Sequence, residues 1–324
     1  MERIPLGIVG ARFALELISS DLTGRFAGVA AVFEPDERAA ARSEPLLINK
    51  RVYLFRDYKK FLVCGIKAVV ISSGLDRVNW AVKALRAKLD VLCEPPAALD
   101  ADGFARLERA VRDSGKSFVL AEYACHRREV LLAERLYRRG DIGRLLTADS
   151  SEFAEDNGAP ACAQSSGSIG KLVVTTKLGV SGAVCFESLA HGIVIGTEML
   201  NLSNGAHARA LNGNFGVESS LRLIGESGVI EASRGRVRLT DCSSLTEKSS
   251  SIRPEGFMLT GMTGDDFAKS SAIDSFVLKL LGDNAAAARC VDFPRVCEIV
   301  REVLGKSGRR EVGSQPYGYN IERK

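Results

Sequence analysis

The stretch that most constrains the fold is Arg3 to Leu17, RIPLGIVGARFALEL. Ile4 to Val9 is a short apolar run with β-branched residues, which predicts a buried strand. Gly10 supplies a tight turn, and the residues from Phe13 onward predict the first turn of a helix. Such a corner leaves unpaired N–H groups and the positive end of a helix dipole at the strand's carboxyl end, where a phosphate can sit. The three-glycine fingerprint of a dinucleotide-binding βαβ unit is met only at Gly10. Its second glycine position holds Arg12 and its third holds Leu15.

The chain beyond that corner adds weight. Ala27 to Phe33, AGVAAVF, predicts a second buried strand that ends at Glu34, 24 residues after Gly10. An acid at that spacing is placed to accept hydrogen bonds from the hydroxyls of an adenosine ribose. Glu34 would repel a 2′-phosphate and so favours NAD over NADP, while Arg12 and Arg38 would soften that preference. The alternative is that Glu34 and Asp36 cap the next helix. Further strands are predicted at Arg51 to Phe55, Lys67 to Ser73, Asp90 to Cys93 and Ser117 to Tyr123, with helices at 77–88 and Asp102 to Ser114. Strands that are continuous apolar runs and alternate with helices imply a parallel sheet covered on both faces. Ligands in such sheets bind at the carboxyl ends of the strands. Gly10, Glu34, Ser72, Glu94 and Tyr123 all fall there.

Composition narrows the function classes. The 324 residues suffice for two domains, 1–124 and 125–324. The formal net charge is +4, with cations and acids interleaved, which predicts no nucleic-acid footprint. No apolar run approaches the ~18 residues of a membrane span, and the N-terminus runs straight into a strand, so no membrane partner and no signal peptide are expected. Eight cysteines without a CxxC pair read as reduced, buried thiols of a cytoplasmic protein. With three histidines, no metal site is expected.

The second half changes character. A helix is predicted at 127–139, ending at Gly140, then a strand at Leu145 to Phe153. A small polar loop at 154–168 and a short helix at 169–178 follow. Alternating segments at 182–190, 196–203, 206–212, 219–225 and 228–232, with turns at Asn204-Gly205 and Glu226-Ser227-Gly228, predict an open, largely antiparallel sheet. Helices are predicted at 267–281 and from Pro294 to about Gly305.

The segments GIVGARFALEL, AVFEPDERA, AVVISSG, VLCEPPAALD and RLYRRGDIGRLLTADSSEF, in this order, resemble the Gfo/Idh/MocA family, the glucose–fructose oxidoreductase and inositol dehydrogenase group. The resemblance implies an α/β fold: an N-terminal Rossmann dinucleotide-binding domain followed by a C-terminal α+β domain with a large open, mostly antiparallel sheet. It implies an NAD(P)-dependent oxidoreductase acting on a small molecule, by default a sugar, cyclitol or sugar derivative. One face of the open sheet would hold substrate, and the other would make a homodimer or homotetramer.

On this resemblance Gly10, Arg12, Phe13 and Ala14 would hold the pyrophosphate, Glu34 and Arg38 the ribose, and Ser72, Ser73, Gly74, Leu75, Glu94 and Pro95 the nicotinamide side. Family members carry Glu-Lys-Pro after the fifth strand, the lysine moving the proton. Here Glu94, Pro95 and Pro96 stand there, and proline has neither a titratable side chain nor an N–H. The family's Asp-x-Gly-x-His motif aligns either with Glu187, Leu189 and His191 or with Lys171, Val173 and Thr175; the second alignment completes the sheet and is preferred. Tyr123, His126 and Lys171 are therefore the candidates to move a proton. For Tyr123 the alternative is an aromatic that packs on the cofactor, and for His126 a solvated helix start. The losses at 12 and 95 also fit a catalytically silent homologue that binds a nucleotide or sugar or serves as a scaffold subunit.

Overall fold

The computed structural model describes residues 3–23, 26–72, 76–94, 97–98, 101–121, 123–153, 196–201, 207–213, 220–233, 235–242, 248–252 and 264–294. In chain order the first sheet is built from β1 (Ile4–Val9), α1 (Ala11–Ser19), β2 (Ala27–Phe33), α2 (Glu37–Asn49), β3 (Tyr53–Phe55), α3 (Tyr58–Leu62), β4 (Ala68–Ile71), α4 (Arg77–Arg86), β5 (Asp90–Cys93), α5 (Ala101–Ser114) and β6 (Phe118–Leu120). A 3-10 turn (Tyr123–His126) and α6 (Arg128–Arg139) lead to the second sheet. That sheet holds β7 (Leu145–Phe153), β8 (Gly196–Asn201), β9 (His207–Gly213), β10 (Ser220–Gly225), β11 (Gly228–Ser233), β12 (Arg236–Asp241) and β13 (Lys248–Ile252). The chain then returns through α7 (Gly264–Leu280), α8 (Asn284–Ala287) and β14 (Val291–Asp292).

The first sheet has the order β14-β6-β5-β4-β1-β2-β3. β1 to β6 pair in parallel, and β14 pairs antiparallel with β6. Successive strand residues point to opposite faces, and the two apolar clusters divide accordingly. Leu6, Ile8, Ala68, Val70, Leu92 and Val119 join the cluster of α1 and α7. Val9, Val69, Ile71, Val91, Phe118 and Leu120 join the cluster on the α4 and α5 side, which continues into α6 and the second sheet. Because the central strands β1, β4 and β5 are apolar on both faces, the sheet is stable only with helices on both sides, and α7 supplies part of one layer through Ile273, Phe276 and Val277. The second sheet has the order β13-β12-β11-β10-β7-β9-β8. β7 and β9 pair in parallel, and the remaining pairs are antiparallel. Leu221, Leu223, Ile230, Ala232 and Val237 form its buried face, together with Val130, Ala133 and Leu136 of α6.

The expected α/β fold with a parallel and a separate, mostly antiparallel sheet is observed. Local boundaries differ. α1 begins at Ala11, not Phe13, because Gly10 at φ 114° and ψ 107° turns the chain within one residue. The sixth strand stops at Leu120, and Tyr123 lies in the 3-10 turn instead of ending the strand. β12 and β13 were not expected: RVRLTD buries only Val237 fully, and KSSSI is polar. α3 also lacked a pattern, being a single turn capped by Asp57, which accepts from Lys59 N–H at 2.8 Å. Cys93 and Cys290 are buried as expected, but Cys64 and Cys242 are exposed, in the turn after α3 and just past β12. The segments expected at 154–168, 169–178 and 182–190, the Asn204-Gly205 turn and the helix from Pro294 to Gly305 (beyond Pro294) lie outside the described residues. Among the described residues no helix is long and apolar enough to cross a membrane.

Candidate active site

The strand order reverses between β1 and β4, with β2 and β3 on one side and β5 and β6 on the other. A crevice opens outside the carboxyl ends of such strands. Backbone bonds tie these ends together. Gly10 N–H donates to Phe33 O at 3.0 Å, Ser72 N–H to Val9 O at 3.3 Å, Glu94 N–H to Ile71 O at 2.8 Å and Ala121 N–H to Cys93 O at 2.8 Å. Residues far apart in sequence thus meet along one rigid edge.

At the β1 end, the α1 ladder starts with Ala14 N–H donating to Gly10 O at 3.1 Å. The N–H groups of Arg12 and Phe13 precede that first bond and point out of the helix end. The Arg12 side chain, at the position of the missing second glycine, is exposed. Phe13 and Ala14 are buried in the core. They can meet a ligand only through their backbone.

Glu34, at the end of β2, is 8% exposed. Its carboxylate accepts from Ala11 N–H at 2.8 Å and from Asp36 N–H at 3.1 Å. The alternatives for the two acids therefore separate. Asp36 caps α2, accepting from Ala39 N–H at 2.6 Å, whereas Glu34 reaches back to the start of α1. Two backbone donors occupy part of the carboxylate's acceptor capacity, which allows about four bonds, and leave room for ligand hydroxyls. Arg38 is exposed on the first turn of α2.

At the β5 end, Tyr123 O–H donates to Glu94 Oε1 at 2.9 Å. Burial pushes the Glu94 carboxyl up to about 7 against the opposing pull of the Tyr123 hydrogen bond and of the positive charges of Arg77 and Lys269; Glu16 adds to the rise. Burial also raises the Tyr123 phenol well above its ordinary value, with the Glu94 charge adding to it. Arg77, in the first turn of α4, lies 3.5 Å through Nη2 from Ser72 O. Lys269 of α7 forms an ion pair with Glu16 of α1. His126 is 4% exposed, and its Nδ1 lies 3.1 Å from Ser271 Oγ of α7. It is not the solvated helix start considered from sequence.

Of the residues singled out in the sequence, Gly10, Arg12, Glu34, Ser72, Glu94 and Tyr123 stand at this edge. Ser73, Gly74, Leu75, Pro95 and Lys171, and with them both alignments of the Asp-x-Gly-x-His motif, lie outside the described residues. Sequence reasoning missed Glu16, Arg77 and Lys269. The Glu16–Lys269 pair spans 253 positions and has no local signature. Arg77 could have been found as the first cation after the Ser72-Ser73-Gly74 loop.

No protein-family model matches the chain, and no curated protein matches it in sequence. Solved structures do share its fold. An oxidoreductase from Pseudomonas syringae superposes with a TM-score of 0.72 at 14% identity, covering 94% of this chain and 95% of that one. An inositol dehydrogenase homologue from Azotobacter vinelandii, complexed with NAD+, gives 0.68 at 14% identity, covering 94% of each chain. A levoglucosan dehydrogenase in complex with NADH and levoglucosan gives 0.67 at 13% identity, covering 94% of this chain and 98% of that one. At such identities the likeness establishes the two-sheet fold.

Proposed function

We propose that the chain is an NAD(H)-dependent oxidoreductase of the Gfo/Idh/MocA kind, acting on a sugar, cyclitol or sugar derivative, with Tyr123 and Glu94 moving the proton in place of the lysine lost at position 95. The observation that carries this reading is the 2.9 Å Tyr123–Glu94 hydrogen bond at the strand edge that also presents Gly10, Glu34 and Ser72. The neighbours complexed with NAD+, or with NADH and levoglucosan, support the cofactor and substrate class. The assignment from fold alone is analogy, so the site residues must carry the chemistry.

The residues fit a dinucleotide. The N–H groups of Arg12 and Phe13 and the Arg12 guanidinium would hold the diphosphate, and Glu34 would accept from the ribose hydroxyls and repel a 2′-phosphate. A bound nicotinamide supplies the hydride acceptor or donor. In alcohol oxidation Tyr123 Oη takes the substrate hydroxyl proton while its own proton passes to Glu94 Oε1. In reduction the proton runs back along the same atoms. Arg77 and Lys269 hold Glu94 in the titrating range against the push of burial. Ser73, Gly74, Leu75 and Pro95 would face the nicotinamide side. His126 positions the 3-10 turn that carries Tyr123, and Lys171 is a second candidate proton carrier. The oligomer is a dimer or tetramer formed through the second sheet, and the domains divide at 124/125.

Because the relay needs ionised Glu94, kcat/KM for oxidation should rise with pH to a plateau through an apparent pKa of about 7. The test is a panel of sugars and cyclitols assayed by nicotinamide absorbance, with Tyr123→Phe and Glu94→Gln compared. We expect Tyr123→Phe to lower kcat by roughly 10²- to 10⁴-fold with NADH affinity retained, and Glu94→Gln to remove the pH step. A Tyr123→Phe enzyme turning over at the parent rate would overturn the relay. NADH binding without turnover of any substrate would favour the silent homologue.

A further inference from the structure

A second site lies away from the strand edge. α4 and α5 pack side by side over the sheet, and between them is a cleft of about 380 Å3. Its lining brings Lys83, Arg86 and Lys88 from α4 and the turn after it against Arg106 and Arg109 of α5. Asp113 is the one acid in the lining, so the local excess of charge equals the formal net charge of the whole chain, +4. Val82 and Ala110 supply an apolar strip.

Helix ends explain part of this charge. Lys83 and Arg86 occupy the last turn of α4, and Lys88 Nζ donates to Ser114 O at the end of α5 at 3.0 Å. Cations there complement the negative end of the dipole. Arg106 and Arg109 have no such reason, since they sit in the middle of the Ala101–Ser114 helix. Arg106 donates through Nη2 to the neutral Asn79 Oδ1, and the Asn79 amide donates to Asp76 Oδ1, an acid outside the cleft lining. Asp113 lies 3.7 Å from Arg112, a cation outside the cleft lining. Like charges this close repel one another within a screening length of ~8 Å, a cost that an anionic ligand would relieve.

We propose that this cleft binds a small molecule carrying two or three linked phosphates. Lys83 with Arg86, and Arg106 with Arg109, are each separated along their helices by about 4.5 Å, and packed helices lie about 8–10 Å apart. The four cations thus frame an area wider than one phosphate. Guanidinium forks bind phosphate oxygens in pairs, which suits two arginines on facing helices. The site does not depend on the cofactor edge: it lies between the helices, and Lys83, Arg86 and Lys88 sit at the α4 end remote from Arg77.

The experiment is calorimetric titration of the full chain with inorganic tripolyphosphate and, separately, with a nucleoside triphosphate. The proteins compared, each with millimolar NADH present to occupy the strand edge, are the parent, the double variant Arg106→Gln/Arg109→Gln, and Arg236→Gln on the second sheet. We expect one equivalent to bind the parent, at least tenfold weaker binding to the double variant, and unchanged binding to Arg236→Gln. Tighter binding of the nucleoside triphosphate places a nucleoside on the Val82–Ala110 strip. Equal binding makes the phosphate chain the whole ligand; both outcomes support the site. The absence of binding, parent-like binding by the double variant, or equal weakening by Arg236→Gln would overturn it.

Discussion

Glu94 concentrates the physical tension of the site. Its carboxyl is raised from 4.5 to about 7 chiefly by burial, so the folded protein keeps a proton there that the unfolded chain has released. Stability therefore falls as pH rises from about 4.5 to about 7 and stays lower above that, by up to about 3 kcal/mol from this group. Glu94→Gln should flatten that fall, measurable as the urea midpoint of variant and parent at about pH 5 and about pH 8. Curves that stay parallel would show that Glu94 titrates normally. The position of Glu94 after a buried strand was legible from VLCEPP, and so was Tyr123 at the carboxyl end of the next apolar run. Their mutual hydrogen bond was not, because it depends on the chain leaving β6 at Leu120 and entering a 3-10 turn. The roles of Glu34 and Asp36 were open for a related reason. Both acids suit a cap, and only the approach of β2 to α1 decides that Glu34 meets Ala11 N–H.

At the level of elements, the close approach of strands and turns sets which glycines matter. A Cβ on Gly225, at the end of β10, would lie 2.0 Å from the backbone oxygen of Ile142. A Cβ on Gly28 of β2 would meet nothing within 4 Å. Gly225→Ala should cost about 1–3 kcal/mol or more, whereas Gly28→Ala should be neutral or stabilise by roughly 0.4–1 kcal/mol. Thermal unfolding of the two variants separates these outcomes, and equal losses would contradict the packing described for the Ile142 turn. The buried strands of the first sheet were readable because residues such as those of AVVI are apolar on both faces. β12 and β13 were not readable: RVRLTD buries only Val237 fully, and KSSSI carries three consecutive exposed serines, a pattern that resembles loop composition. The second sheet still announced itself through β7 and the Glu226-Ser227-Gly228 hairpin, whose register runs from Ser220 opposite Ser233 to Ile224 opposite Val229.

At the scale of the whole molecule, the two sheets share one apolar cluster, and α7 and β14 carry the chain back onto the first sheet. That return places Lys269 against Glu16 and Ser271 against His126, so the edge carrying Glu94 is completed by residues more than 140 positions away. No periodicity could announce such contacts, whereas the glycine corner was visible in the first 34 residues and the parallel sheet in the strands that alternate with helices as far as residue 123. The central claim is that this edge is a working site for NAD(H), with Glu34 selecting against a 2′-phosphate. Calorimetric titration of the full chain with NADH and with NADPH tests it most directly. The account predicts one equivalent of NADH bound, at least tenfold more tightly than NADPH. Failure of both to bind at millimolar concentration, or tighter binding of NADPH, would contradict it.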